Sequence, residues 1–173
     1  MTAATDSAMA DMSAGRHRLM RLATYASLLV ALVLIGAKVF AWLGTDSVAM
    51  LSSLVDSMLD AVASLLNLFA VRQALAPADA EHRFGHGKAE PLAGLGQAAF
   101  IAGSAVFLLF QAANRLLHPQ AVTDGSVGIM VSLISIVLTL LLVLFQRFVV
   151  RRTGSMAIGA DALHYLSDLM SNL

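Results

Sequence analysis

After a polar opening, apolar positions fill long, nearly unbroken stretches of the chain, and polar residues fall in short groups between them. The stretches run over about 22–43, 47–75, 91–117, 127–149 and 155–173. The first, "LATYASLLVALVLIGAKVFAWLG", is long enough at about 1.5 Å per residue to cross a hydrocarbon layer of about 30 Å as one helix. The punctuation between the stretches, "GTDS", "APADAEHRFGHGKAE", "HPQAVTDGS" and "RRTG", is built from the Gly, Pro, Asp and Ser residues that favour turns. The pattern predicts an all-α membrane protein, a polytopic bundle of five transmembrane helices in one domain over 21–173. A polar, small-residued segment over 1–20 precedes it as a flexible cytoplasmic tail. That segment lacks a basic start running directly into an apolar core, so it does not read as a cleaved signal peptide.

Orientation follows from the basic residues, because cytoplasmic flanks collect Lys and Arg. Arg16, Arg18 and Arg21 precede the first helix, Arg72, Arg83 and Lys88 flank the second connection, and Arg147, Arg151 and Arg152 flank the end of the fourth helix. The other side has Arg115, and Lys38 lies late in the first helix, where its long stem is expected to snorkel outward. The N-terminus is therefore placed in the cytoplasm. The fifth stretch stops at Leu173 without a cap, a basic flank or a proline, and reads as a helix cut short.

Composition agrees with a lipid environment and narrows the chemistry. Hydrophobic residues make up 58% of the chain and charged residues 13%, with a mean hydropathy of +0.79, against roughly 25% charged residues in soluble domains. The net charge is zero and no long basic run is present, so nothing points to a nucleic-acid partner. There is no cysteine, so any metal must be held by His, Asp, Glu or backbone oxygen.

The acids inside the apolar stretches carry the main inference. Asp56 and Asp60 are one turn apart on one face of the second helix, and His164 and Asp168 repeat that spacing in the fifth. Counted along each helix at about 1.5 Å per residue, both pairs lie roughly 14 and 20 Å deep, from opposite sides of the bilayer. A carboxylate at that depth costs about 3 kcal/mol on insertion scales and normally faces a partner or a water-filled cavity. The structural alternative is hydrogen bonding between helices, but two depth-matched pairs make a four-ligand tetrahedral site the better account. Oxygen and nitrogen ligands without sulfur suit Zn²⁺, with Fe²⁺, Mn²⁺, Co²⁺ and Cd²⁺ as competitors.

A second cluster, Asp79, His82 and His86, lies in the connection after the second helix, where Gly85 and Gly87 favour a turn over a regular helix. Taken alone, such residues are ordinary in a polar loop. Asp161 precedes His164 by one turn and reads as a partner to it or as an interfacial acid. His17 and His118 are expected at the headgroups, and Asn67, Gln97, Gln111 and Asn114 as interhelical hydrogen-bonding residues. Neither an HExxH motif nor a nucleophile elbow nor a phosphate-cradling loop is present, so an enzyme has no support.

The segments "SVAMLSSLVDSMLDAVASLLNL", "PADAEHRFGHGKAEPLAGLGQA" and "GADALHYLSDLMSN" resemble the cation diffusion facilitator family, in particular its bacterial ferrous-iron and zinc efflux branch. The resemblance spans nearly all of the chain after the tail. It implies an intramembrane transport site on Asp56, Asp60, His164 and Asp168, the set that spacing and depth select, and a cytoplasmic loop site on Asp79, His82 and His86. It matches Lys88 to a lysine of a charge interlock at the dimer interface, whose acidic partners would lie after residue 173. Family members have a sixth helix and a cytoplasmic C-terminal domain, and neither is present in this sequence.

The expected function is proton-coupled efflux of a divalent cation, Zn²⁺ or else Fe²⁺, Cd²⁺ or Mn²⁺, by alternating access across the bacterial inner membrane. The expected partners are membrane lipid, metal ions, protons and a second copy of the full-length protein, with no organic cofactor. The alternative from another class is a membrane metal sensor or scaffold that does not transport.

Overall fold

The computed structural model describes residues 2–46, 48–117 and 125–171, which form five α-helices: α1 (Thr2–Thr45), α2 (Val48–Ala74), α3 (Ala89–Leu117), α4 (Gly125–Thr153) and α5 (Met156–Ser171). Four of them contain stretches long and apolar enough to cross a membrane, Asp11–Thr45, Met50–Ala74, Ala89–Asn114 and Ser126–Thr153. The described part of α5, 16 residues, covers about 24 Å. His118 lies outside the described residues.

The number and order of helices agree with the apolar pattern, and the largest departure is at the start. The segment 1–20, expected as a flexible tail, is helical from Thr2 onward and continuous with α1. Alanine and methionine recur through it and the first proline of the chain is Pro77, so no proline interrupts the helix and the one glycine, Gly15, costs it about 1 kcal/mol without breaking it.

Local chemistry fixes the other boundaries. Asp46 ends α1 in the left-handed region (φ 50°), its amide donating to the Trp42 carbonyl at 2.8 Å. Pro91 sits in the first turn of α3, where an absent N–H leaves no intrahelical bond unmade. Gly154, at φ 69°, closes α4 through its amide to the Val150 carbonyl at 2.8 Å. The Ser155 hydroxyl then accepts from the Ile158 amide at 3.3 Å, the N-cap geometry that starts α5. A two-residue joint thus turns α4 back into α5.

The helices close into a ring in the order α1, α2, α3, α5, α4, with α2 and α5 also touching across its interior over a short stretch. Small residues line the close approaches: Ala23, Ala31 and Ala41 of α1 and Ala63 of α2 are all buried. One apolar cluster gathers Met20, Ala23, Val71, Val149, Ala157 and Ile158, and a second joins Leu142, Val143 and Tyr165. Large apolar side chains such as Leu29, Phe40, Phe69, Phe110 and Leu141 point outward, as a lipid-bathed surface requires.

Basic residues gather at one end of the ring. An Arg16 guanidinium donates to the carbonyl of Thr153 at the end of α4, and Arg21 and Arg72 line one cleft between α1 and α2. These are basic residues that the sequence pattern expects on the cytoplasmic side.

Candidate metal centre

Asp60 on α2 and His164 and Asp168 on α5 meet where those two helices touch. His164 Nε2 is 3.2 Å from Asp60 Oδ1 and 3.6 Å from Asp168 Oδ2, and one ligand atom from each residue lies within 4.8 Å of the others. His164 is buried, while the carboxylates of Asp60 and Asp168 keep 20% and 27% exposure, leaving the cluster open on one side. Nε2 makes no properly aligned hydrogen bond although two carboxylates flank it. One nitrogen and two carboxylate oxygens brought within 4.8 Å of one another fit the donor set of a divalent cation.

The depth argument anticipated this meeting for three of its four residues. Asp56, one turn from Asp60 and partly buried, falls outside the group of converging ligand atoms among the described residues. The i, i+4 spacing places Asp56 and Asp60 on one face, but it does not say how far α5 extends along that face.

The ring of His164 is held from two sides. Phe100 of α3 meets it edge-on at 5.6 Å between centroids, and Tyr165 lies at 5.7 Å. The Tyr165 hydroxyl donates to the Ser27 carbonyl of α1 at 3.3 Å and shares a 2.7 Å hydrogen bond with the Ser64 hydroxyl of α2. Tyr165→Phe is therefore expected to lower stability by about 1 kcal/mol, read by thermal unfolding in detergent, because the fold loses two buried hydrogen bonds without losing the ring. An unchanged midpoint would contradict that role.

Asp161 is not an interfacial acid. It is fully buried, and it accepts from Gln97 Nε2 of α3 at 3.2 Å and from Gln146 Nε2 of α4 at 2.7 Å. One carboxylate thus ties α5 to two neighbours. Gln97 has the interhelical role expected of it, whereas Asn114 is exposed. Gln146, the one amide side chain of α4, was the signal for the third member of this tie.

Lys38 differs from expectation most plainly. It does not reach outward: it is 9% exposed, and its ammonium donates to the Ser53 carbonyl at 3.0 Å and the Ser57 hydroxyl at 2.6 Å, both on α2. The facing helix supplies acceptors and acids close by, so the side chain has no need of the headgroups. Counting from the turn at Asp46 shows the signal: Lys38 is about 12 Å along α1 and Asp56 about 15 Å along α2, nearly level across the hairpin.

The loop residues, ordinary by their spacing alone, come together in the fold. His82 Nδ1 lies 3.1 Å from Asp79 Oδ1 and His86 Nε2 lies 3.3 Å from Asp79 Oδ2, with the two imidazoles 4.4 Å apart. Asp79 Oδ1 also accepts from the amides of Glu81 at 3.0 Å and His82 at 2.6 Å, an Asx turn. Gly85, at φ 79°, supplies the left-handed residue that returns the chain so that His86 faces Asp79. The His82 amide, then its imidazole, with His86 nearby, hold the Asp79 carboxyl below the usual carboxylate range. Because this shift is downward, the turn keeps its contribution at neutral and mildly acidic pH and loses it only as the pH falls below about 4. The Nδ1 of the largely buried His86 makes no hydrogen bond, and the three residues present a compact N, N, O set that fits a metal ion. Lys88 is exposed at the foot of α3, with no carboxylate partner among the described residues.

Residues 24–173 match the family model described as the cation efflux transmembrane domain. The chain is 56% identical over 155 residues to a protein named cation-efflux pump FieF from Pectobacterium carotovorum, covering 90% of this chain and 52% of that one. It is 52% identical over 152 residues to the FieF of Shewanella oneidensis, covering 88% and 51%. It therefore spans about half the length of the curated relatives it matches. The bacterial relatives and the apolar helices make it a multi-pass protein of the inner membrane, in a family of transporters and not of enzymes. By the family match over most of its length, the chain belongs to the cation diffusion facilitator family.

Proposed function

We propose that the chain is the ion-carrying part of a transporter that expels a divalent cation, Zn²⁺ or a similar ion such as Fe²⁺, Cd²⁺ or Mn²⁺, in exchange for protons. The observation that carries this reading is the convergence of His164 Nε2 with Asp60 and Asp168 at the crossing of α2 and α5. Asp56, one turn away on the same face, is the fourth candidate ligand, reached by a small slide of α2 against α5. Metal ligands bind in their deprotonated form, so an entering cation and protons compete for the same lone pairs. Since α2 and α5 touch only over a short stretch, a modest relative shift opens the cluster to one side or the other, which is what alternating access requires. The family match and the names of the relatives, which are called cation-efflux pumps, support the direction of transport.

The test uses the full-length protein in zinc-loaded vesicles, with metal and pH followed together. Asp60→Ala should abolish both the metal flux and the opposing proton flux. Wild-type flux in that variant would refute the site, and zinc binding by the wild-type protein without any flux would favour a sensor.

We further propose that Asp79, His82 and His86 hold a second ion that cross-links the loop between α2 and α3. Asp79→Asn keeps an oxygen for the two amides but removes the ligand charge. It is expected to retain the turn and lose at least about tenfold in loop-site affinity, read by calorimetry on a His164→Ala background. Binding equal to that of the His164→Ala parent would contradict it.

A further inference from the structure

We propose that Lys38 acts as a resident cation of the transport site, held on α2 beside the acids so that its positive charge weakens the grip on a divalent ion and speeds release. The inference rests on the function proposed above. Lys38 reaches across from α1 and is bound at Ser53 and Ser57, and Ser57 falls between Asp56 and Asp60 on α2. Both hydrogen bonds go to uncharged acceptors, so the ammonium is anchored by neutral groups while its charge acts on Asp60 foremost, then on Asp56 and Asp168. A buried ammonium at this depth is costly unless opposite charge compensates it, and these carboxylates are the charges it faces.

The consequence is a charge balance. Three acids and an imidazole with no cation beside them would bind a divalent ion tightly and let it go slowly. A carrier needs the opposite compromise, strong enough to capture and weak enough to release. A fixed positive charge near the ligands repels the doubly charged cargo more strongly than it repels protons, and so favours exchange of one for the other. Ser53 and Ser57 set its distance: they hold the ammonium near the acids without letting it replace the metal as their direct partner.

The experiment compares zinc affinity and zinc flux in full-length protein on a His82→Ala, His86→Ala background, which silences the loop cluster. Lys38→Gln removes the charge but keeps a donor for α2. It is expected to lower the half-saturating zinc concentration about tenfold, tighten equilibrium binding to the same degree, and reduce the maximal rate. Lys38→Arg should recover most of that shift, since it restores the charge. Ser57→Ala frees the ammonium to approach the carboxylates and should move half-saturation the other way, upward. A lysine that merely ties α1 to α2 would give Lys38→Gln an unchanged or higher half-saturation, and that result overturns the proposal. If Lys38→Gln fails to reach the membrane, Ser57→Ala decides, with an unchanged or lowered half-saturation counting against it. Absence of flux in the parent protein would refute the transport reading instead, while the equilibrium affinities would still judge Lys38.

Discussion

His164→Ala is expected to reduce zinc flux through the full-length protein by at least about a hundredfold, with the membrane-inserted amount of protein unchanged. Loss of a residue that only supports a metal ligand typically costs 10- to 100-fold, and His164 stands among the proposed ligands themselves. The side chain supplies the nitrogen of the set and separates the carboxylates of Asp60 and Asp168. Alanine leaves those two acids at the α2–α5 crossing without the group between them, so the variant should lose metal affinity and proton exchange together. Tracer flux and internal pH measured in the same vesicles check this. A variant that still moves zinc at a tenth of the wild-type rate or faster would show that the ion takes another route.

The second large effect is expected away from the ligands, at Asp161. Its oxygens accept from Gln97 and Gln146, and it is fully buried where α3, α4 and α5 meet. Asp161→Ala strands both amide donors in the bundle interior, and an unsatisfied buried donor costs about 1–3 kcal/mol. We expect a lower unfolding midpoint in detergent and a weaker zinc affinity, because α5 carries His164 one turn further on. Asp161→Asn keeps one acceptor and should fall between alanine and wild type. An alanine variant as stable as wild type would show that the carboxylate does not tie the helices.

Much of this arrangement was legible in the sequence. Unbroken apolar stretches gave the helices, because a bilayer leaves the backbone few other choices. The i, i+4 pairs at matched depth pointed to Asp60, His164 and Asp168 meeting, whereas Asp79, His82 and His86 looked ordinary by spacing alone and stood out only through the family resemblance. What escaped depends on lateral packing, which no single helix encodes. Lys38 was expected to reach the headgroups because its own helix offers it nothing else, whereas α2 offers Ser53 and Ser57. Asp161 was ambiguous for the same reason, since its partners lie 64 and 15 residues away in sequence. The helical start of α1 was missed because a polar, alanine-rich segment satisfies helix propensity without any apolar period to announce it.

The claim on which the rest depends is that the cargo is held between α2 and α5. Anomalous diffraction from zinc-loaded crystals of the full-length protein, recorded on both sides of the zinc absorption edge, tests it most directly. The account predicts a peak about 2.0 Å from His164 Nε2 and from one carboxylate oxygen each of Asp60 and Asp168, lost in His164→Ala. Zinc at Asp79, His82 and His86 with no density between Asp60 and His164 would contradict it.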